Sequence, residues 1–314
     1  MKKLLLLGTL LLALTACDKE SVENTNSTST TTPTVETPTP NPTPEPTPEP
    51  TPEPTPEPTP EEVFNTSVEV YNKSVAVMNN LAYSVKTYGE SITDVSGSGH
   101  PLPDKLYIYE TLHHMPNELY FEKISNGKPV MGVFGVSFAQ KGYINNGVGR
   151  RQSASSTNPW NPFDIEDSKN NYPTVDNYSE AKDSSEEAIL AEFGMKKGSY
   201  INYVIADDTI KEDSFNFTKS EDGYKLVFNL LIDNGLDSKS ISGYKDQVKA
   251  MSGKELKSVE DITIEINLDN EFRVVSYKAI ENYTVNFIVN AKISNTLEYN
   301  FSYYEDNNLE IPTF

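Results

Sequence analysis

Three scarcities narrow the reading of this 314-residue chain: one cysteine, one tryptophan and three histidines. A lone Cys17 forms no intrachain disulfide and builds no multi-thiolate metal site. The chain has no Gly-x-Ser-x-Gly elbow, no phosphate-cradling glycine loop and no His-Glu-x-x-His pair. The common signatures of hydrolases, nucleotide-binding proteins and zinc proteases are therefore missing, and a non-catalytic protein is expected. The apolar run from Leu4 to Leu14 falls well short of the roughly twenty residues that span a bilayer. Basic residues are also few: 26 Lys and Arg stand against 46 Asp and Glu, a formal net charge of −20. Such a surface repels a phosphate backbone, so no nucleic-acid partner is expected.

What is present begins at the N-terminus. Lys2 and Lys3 precede the apolar run, and small residues lead into Cys17, which is the layout of a secretory signal. Leu14-Thr15-Ala16-Cys17 resembles the lipobox of bacterial lipoproteins. The resemblance implies that residues 1–17 are signal and lipobox. It also implies that Cys17 carries diacylglycerol and palmitate, the one group attached to the protein, with no other cofactor. The partner so implied is the cell membrane, and the place is the outer face of the cytoplasmic membrane. In a Gram-negative bacterium Asp18 beside the cysteine would resemble an inner-membrane retention signal, while the spacer that follows suits a Gram-positive cell surface; both place the chain on that outer face.

Residues 18–60 form that spacer. A Ser/Thr/Asn-rich stretch gives way at Pro33 to Thr-Pro-Glu-Pro repeats that run to Pro60. Proline at nearly every second position excludes helix and sheet and favours extended polyproline II. At about 3.1 Å per residue, Pro33 to Pro60 reaches roughly 85 Å. A disordered tether is expected here, holding a folded domain of residues 61–314 away from the membrane.

The domain should open with a helix. Thr59-Pro60-Glu61-Glu62 reads as N-cap, first-turn proline and capping box. Phe64, Val68, Tyr71, Val75, Met78, Leu81 or Ala82, and Val85 recur at helical spacing over six turns, with Gly89 as terminator. From Lys105 the period changes to two. Leu106–Tyr109, Leu119–Phe121 and Val130–Phe138 read as strands, with Gly132 and Gly135 as bends, and Tyr143-Ile144 starts a fourth. Gly149–Tyr178 reads as a long loop containing Arg150, Arg151 and Trp160. A second helix is predicted over Ser185–Phe193, closed by Gly194, and a third around Tyr244, Val248 and Met251.

Strict alternation then marks Tyr224–Ile232, Ile262–Leu268, Phe272–Ile280, Val285–Ile293 and Leu297–Tyr303 as strands with one buried and one wet face. The expected fold is α+β: a large curved antiparallel sheet of eight to eleven strands, an open half-barrel. Its one apolar face should be covered by the N-terminal amphipathic helix and by short helices. The order of signal, lipidated cysteine, leading helix and long strands resembles the LolA/LppX-like half-barrel lipoproteins, including uncharacterised Gram-positive members. That resemblance implies an apolar cavity between sheet and helices that takes a lipid or other hydrophobic ligand, in a monomer.

Candidate site residues are sparse. Arg150 and Arg151 could grip an anionic head bidentately, and Trp160 could cover the body of a ligand. His113 and His114, adjacent on a strand, should point to opposite faces and so make a poor joint metal site. Asp207-Asp208, Glu212-Asp213 and Glu305-Asp306 lack EF-hand spacing and read as solvated turns. Three functions are weighed: a carrier that binds a lipid in its cavity, a surface adhesion or assembly module that binds a protein or polysaccharide, and a hydrolase without a recognised signature. An apolar cavity of about 300 Å³ or more between helix and sheet would favour the carrier; a filled core would favour the module.

Overall fold

The computed structural model describes residues 62–95, 104–130, 134–155, 175, 177–193, 195–252, 255–286, 290–304, 309–310 and 312. The signal with Cys17, the spacer 18–60 and Trp160 lie outside the described residues, as do Gly132, Gly194, Phe287, Val289 and Glu305-Asp306. The chain divides into two units, Met1–Thr59 and Pro60–Phe314; the described residues all belong to the second.

The first helix is shorter than its apolar spacing suggests. It runs over Ser67–Met78 (α1). Glu62 is not helical, and the capping box sits one motif later: Thr66 accepts from the Glu69 backbone while Glu69 reaches back to Thr66. Asn79 and Asn80 end it, the Asn80 amide donating to the Ala76 carbonyl at 2.8 Å. Leu81, Ala82 and Val85 continue the helical spacing by coincidence. Beyond the asparagine turn the chain is already extended, and Val85 alternates with Tyr83 and Thr87 on one face of a strand.

Among the described residues, eleven antiparallel strands form one open sheet. The first six are β1 (Tyr83–Val95), β2 (Asp104–Met115), β3 (Glu118–Val130), β4 (Phe134–Asn145), β5 (Val148–Ser155) and β6 (Lys182–Ser185). The other five are β7 (Phe217–Ser220), β8 (Gly223–Asn229), β9 (Glu255–Leu268), β10 (Val274–Asn286) and β11 (Asn290–Tyr303). The spatial order is β6-β5-β4-β3-β2-β1-β11-β10-β9-β8-β7. Two meanders are thus zipped together by the first and last long strands, with Tyr83 opposite Tyr303 and Thr87 opposite Tyr299. The outermost strands have only four residues each and are mostly exposed and polar, which blunts both open edges against further pairing.

Several strand boundaries differ from the sequence reading. Val130–Phe138 straddles the β3–β4 connection, and Tyr143-Ile144 ends β4 rather than starting a strand. Gly149, Arg150 and Arg151 belong to β5, not to a loop. The two final segments are arranged otherwise as well: β10 runs through Val285, and β11 continues unbroken through Ser294-Asn295-Thr296. That polar triplet resembles a break, but Ser294 donates to Asn282 at 2.7 Å and Asn295 to buried Glu281 at 2.8 Å, so it stays in the ladder.

Two further helices, α2 (Glu186–Phe193) and α3 (Tyr244–Ser252), interrupt the meanders. α2 packs on β4, β5 and β6, α3 on β9, and the two helices pack on each other. β4 and β9 are six strand steps apart, about 29 Å across a flat sheet at roughly 4.8 Å per step. Packed helices lie about 8–10 Å apart. The sheet therefore curls around them, with both helices on its concave side. Gly142 and Gly149 let α2 settle directly on the strands: a Cβ on Gly142 would meet Phe193 at 2.6 Å, and one on Gly149 would meet Ile189 at 2.4 Å. α1 meets the same face at β8, where Tyr71 stands edge-on to Phe228. Its first turn is pinned by Ser67, which donates to the Ser214 and Phe215 carbonyls.

The convex face is not uniformly wet. Tyr109, Ile124, Ala139 and Ala154, on four neighbouring strands, form a second buried cluster there with Val175. Tyr178 closes it, donating to Glu122 at 2.7 Å with the Lys141 ammonium 4.1 Å from its ring. Burial on both faces explains why alternation is weaker in β2–β5 than in β9–β11. Among the described residues no helix is long and apolar enough to cross a membrane.

Candidate functional site

The concave face carries a polar row among apolar neighbours. In one register line, Gln140 of β4, Lys123 of β3, Glu110 of β2 and Thr87 of β1 lead into Tyr299 of β11 and Tyr277 of β10. Lys123 and Glu110 form an ion pair at 2.5 Å, and the Tyr277 and Tyr299 rings stack at 3.8 Å. Burial pushes both phenols well above their ordinary range, and the Glu110 and Glu281 carboxylates add to the shift. Above this row, Phe121, Phe193, Tyr200 and Phe301 line a cavity of about 50 Å³. That is room for roughly three or four waters. Among the described residues, the interior around these side chains is therefore nearly filled.

At one end of the sheet the surface opens into a cleft of about 590 Å³. Two hairpin turns, Pro116-Asn117 and Asn146-Gly147, form one rim. Asn146 and Gly147 both take positive φ, 48° and 81°, the requirement of a two-residue type I′ turn. The opposite wall is the turn 195–199 that leaves α2. Met195 is tied to the helix by its amide on the Leu190 carbonyl at 2.7 Å, and Ser199 closes the turn on Lys196 at 3.2 Å. Asn79 at the end of α1 holds the same turn through the Gly198 carbonyl. Leu119, Ile144, Leu190 and Met195 supply apolar surface. Tyr83 and Met195 line both the cleft and the small interior cavity, so the two adjoin.

His114 lies on the cleft floor, stacked on Tyr83 with ring centres 4.5 Å apart. Its Nδ1 is 3.1 Å from the Leu81 carbonyl, which accepts. Burial holds its pKa below the ordinary histidine value. His113 points to the other face, with Nδ1 3.2 Å from the Glu310 carbonyl and its ring edge-on to Tyr120. No group of three or more His, Cys, Asp or Glu suited to a metal ion occurs among the described residues. Asp208 pairs with Lys239 at 2.7 Å, and Asp213 accepts from Asn229 at 3.1 Å.

The other sequence candidates fall elsewhere. Arg150 and Arg151 are exposed on β5, Arg150 facing Asp183 of β6 at 3.4 Å, and neither lines the cleft or the cavity. Trp160 is outside the described residues. The cleft residues escaped the sequence reading because they come from two hairpin turns, a helix end and a five-residue connection. The one local signal was Asn146-Gly147, a hairpin dipeptide between two strands. No family model, curated protein or solved structure matches the chain.

Proposed function

We propose that this chain is a lipid-anchored, non-catalytic lipoprotein of the outer face of the cytoplasmic membrane. Cys17 carries the anchor, residues 18–60 are the tether, and the domain binds an amphiphilic, lipid-like ligand. The supporting observation is the cleft. Its volume of about 590 Å³ falls in the range of small-molecule sites, about 300–1,000 Å³, and it joins apolar walls to a polar rim. The interior cavity, at about 50 Å³, takes no acyl chain in this conformation. The ligand is therefore assigned to the end cleft rather than to the space under α1. In this reading α1, α2 and α3 together cover the concave face.

A second reading draws on the same filled interior: an adhesion or assembly module that binds a protein or polysaccharide through its outer surfaces. Native mass spectrometry of the soluble domain, purified from a bacterial membrane extract, separates the two. The ligand-binding reading expects a population heavier by one amphiphile that is lost on delipidation and regained on adding lipid. A single unliganded mass that no lipid alters would overturn it and leave the adhesion module.

A further inference from the structure

The cleft contains four charged side chains other than its histidine: Glu118, Glu186, Lys196 and Lys197. Three have partners. Glu118 accepts from the Tyr143 hydroxyl and from the Asn145 amide at 3.2 Å, and Lys197 meets Glu186 at 3.1 Å. Lys196 has no ion-pair or side-chain hydrogen-bond partner among the described residues. Lys182, Lys211, Lys245, Lys257, Lys278 and Lys292 likewise lack one; Lys196 is set apart by its place in the cleft beside apolar walls.

Lys196 is also half-buried, so its ammonium is partly stripped of water with nothing in return. Burial accordingly lowers its pKa from the ordinary lysine value. Its position is set by the turn 195–199, held at one end by α2 and at the other by Asn79 of α1. Met195 precedes it, and Leu190 and Leu119 lie in the same cleft. A cation beside apolar walls matches a ligand with an anionic head and an apolar body.

Resting on the proposed ligand-binding function, we infer that the cleft selects anionic amphiphiles and that Lys196 is the residue that meets the anionic head. No carboxylate of the described residues pairs with Lys196, so the ligand supplies the counter-charge. The neighbouring Glu186–Lys197 pair keeps the rim from presenting a free acid that would repel that head.

The test compares a dansyl-tagged undecanoate with its methyl ester, which keeps the apolar body and removes the charge. Binding is read by dansyl fluorescence with the soluble domain, below the probe's aggregation concentration. Wild type should bind the carboxylate about tenfold or more tighter than the ester, the scale of one charge-assisted hydrogen bond. Lys196→Met should bring the carboxylate down to the affinity of the ester, with melting unchanged. Lys196→Arg should keep the preference, and Lys257→Met, on the exposed part of β9, should leave it intact. Equal binding of both probes by wild type would overturn the head-group assignment while upholding an amphiphile site. A preference that survives in Lys196→Met would also overturn it. Binding of neither probe by a folded domain would sink the underlying function as well.

Discussion

Tyr244 of α3 donates its hydroxyl to Glu281 Oε2 of β10 at 2.9 Å, deep beneath the concave face. Tyr203 donates to the other oxygen of the same carboxylate, and Asn295 of β11 donates to Oε2 at 2.8 Å. One buried acid thus fastens α3, the segment after α2 and two strands. Removing it leaves both tyrosine hydroxyls without an acceptor, at about 1–3 kcal/mol each before relaxation, and leaves Asn295 only the Tyr283 hydroxyl at 3.3 Å. Glu281→Ala should lose about 3–5 kcal/mol, the scale of breaking a buried polar cluster. Glu281→Gln keeps one acceptor and should lose about 1–3 kcal/mol. Urea denaturation checks both. A Glu281→Gln variant as stable as wild type would mean that the carboxylate's charge adds nothing.

Alkaline pH should unfold the domain cooperatively. Burial raises Tyr71 to about 12 and holds Tyr200, Tyr203, Tyr244, Tyr277 and Tyr299 well above their usual value of 10.0. The folded state therefore holds these protons more tightly than the unfolded state. Their contribution to stability is complete below pH 10 and is lost as the pH climbs toward the raised values. Phenolate absorbance should show an early fraction from exposed tyrosines and then a steep step coincident with loss of β-sheet circular dichroism. A smooth titration of all tyrosines near their ordinary value would contradict this burial.

On α1, Met78 and Lys73 should behave oppositely. Met78 is 1% exposed, and its sulfur lies 3.2 Å from the Tyr303 hydroxyl, which donates to the Val274 carbonyl at 2.6 Å. Met78→Ala should cost about 2–5 kcal/mol. Lys73 pairs with Glu62 on the surface, and Lys73→Ala should cost less than about 1 kcal/mol. Thermal melts of the two variants would expose a misplaced helix face if they shifted alike.

The residues that were legible in the sequence are those for which one physical signal acted alone. Ile262, Ile264, Ile266 and Leu268 alternate against a solvated outer face, and the strand is where they place it. α2 is bounded as Ser185–Phe193 suggests, within one residue. α1 was overextended because strand residues Tyr83 and Val85 happen to keep its spacing, and only the Asn79-Asn80 turn separates the two periods. The row Gln140, Lys123, Glu110 and Thr87 was invisible, because polar residues in a strand read as its wet side. They are covered only once a sheet of eleven strands curls, a long-range event that no local window contains. The cleft was hidden for the same reason, since its walls come from turns far apart in the chain.

The anchor is tested without reference to the domain. Cys17→Ala should abolish labelling by a clickable palmitate and leave the signal uncleaved by the lipoprotein peptidase. Equal labelling of mutant and wild type would remove the lipoprotein reading, and with it the assignment to the membrane face.

The most direct test of the cleft uses its methionines. Met115 and Met195 line it, whereas Met78, at the end of α1, is buried and does not line it. Carbon-13 labelling of the methionine methyls gives a resolved NMR signal at each position. Titration with dansyl-tagged undecanoate should shift the Met115 and Met195 signals in a saturable way and leave Met78 in place. Saturable binding that shifts Met78 while Met115 and Met195 stay fixed would put the ligand in the interior and contradict the account.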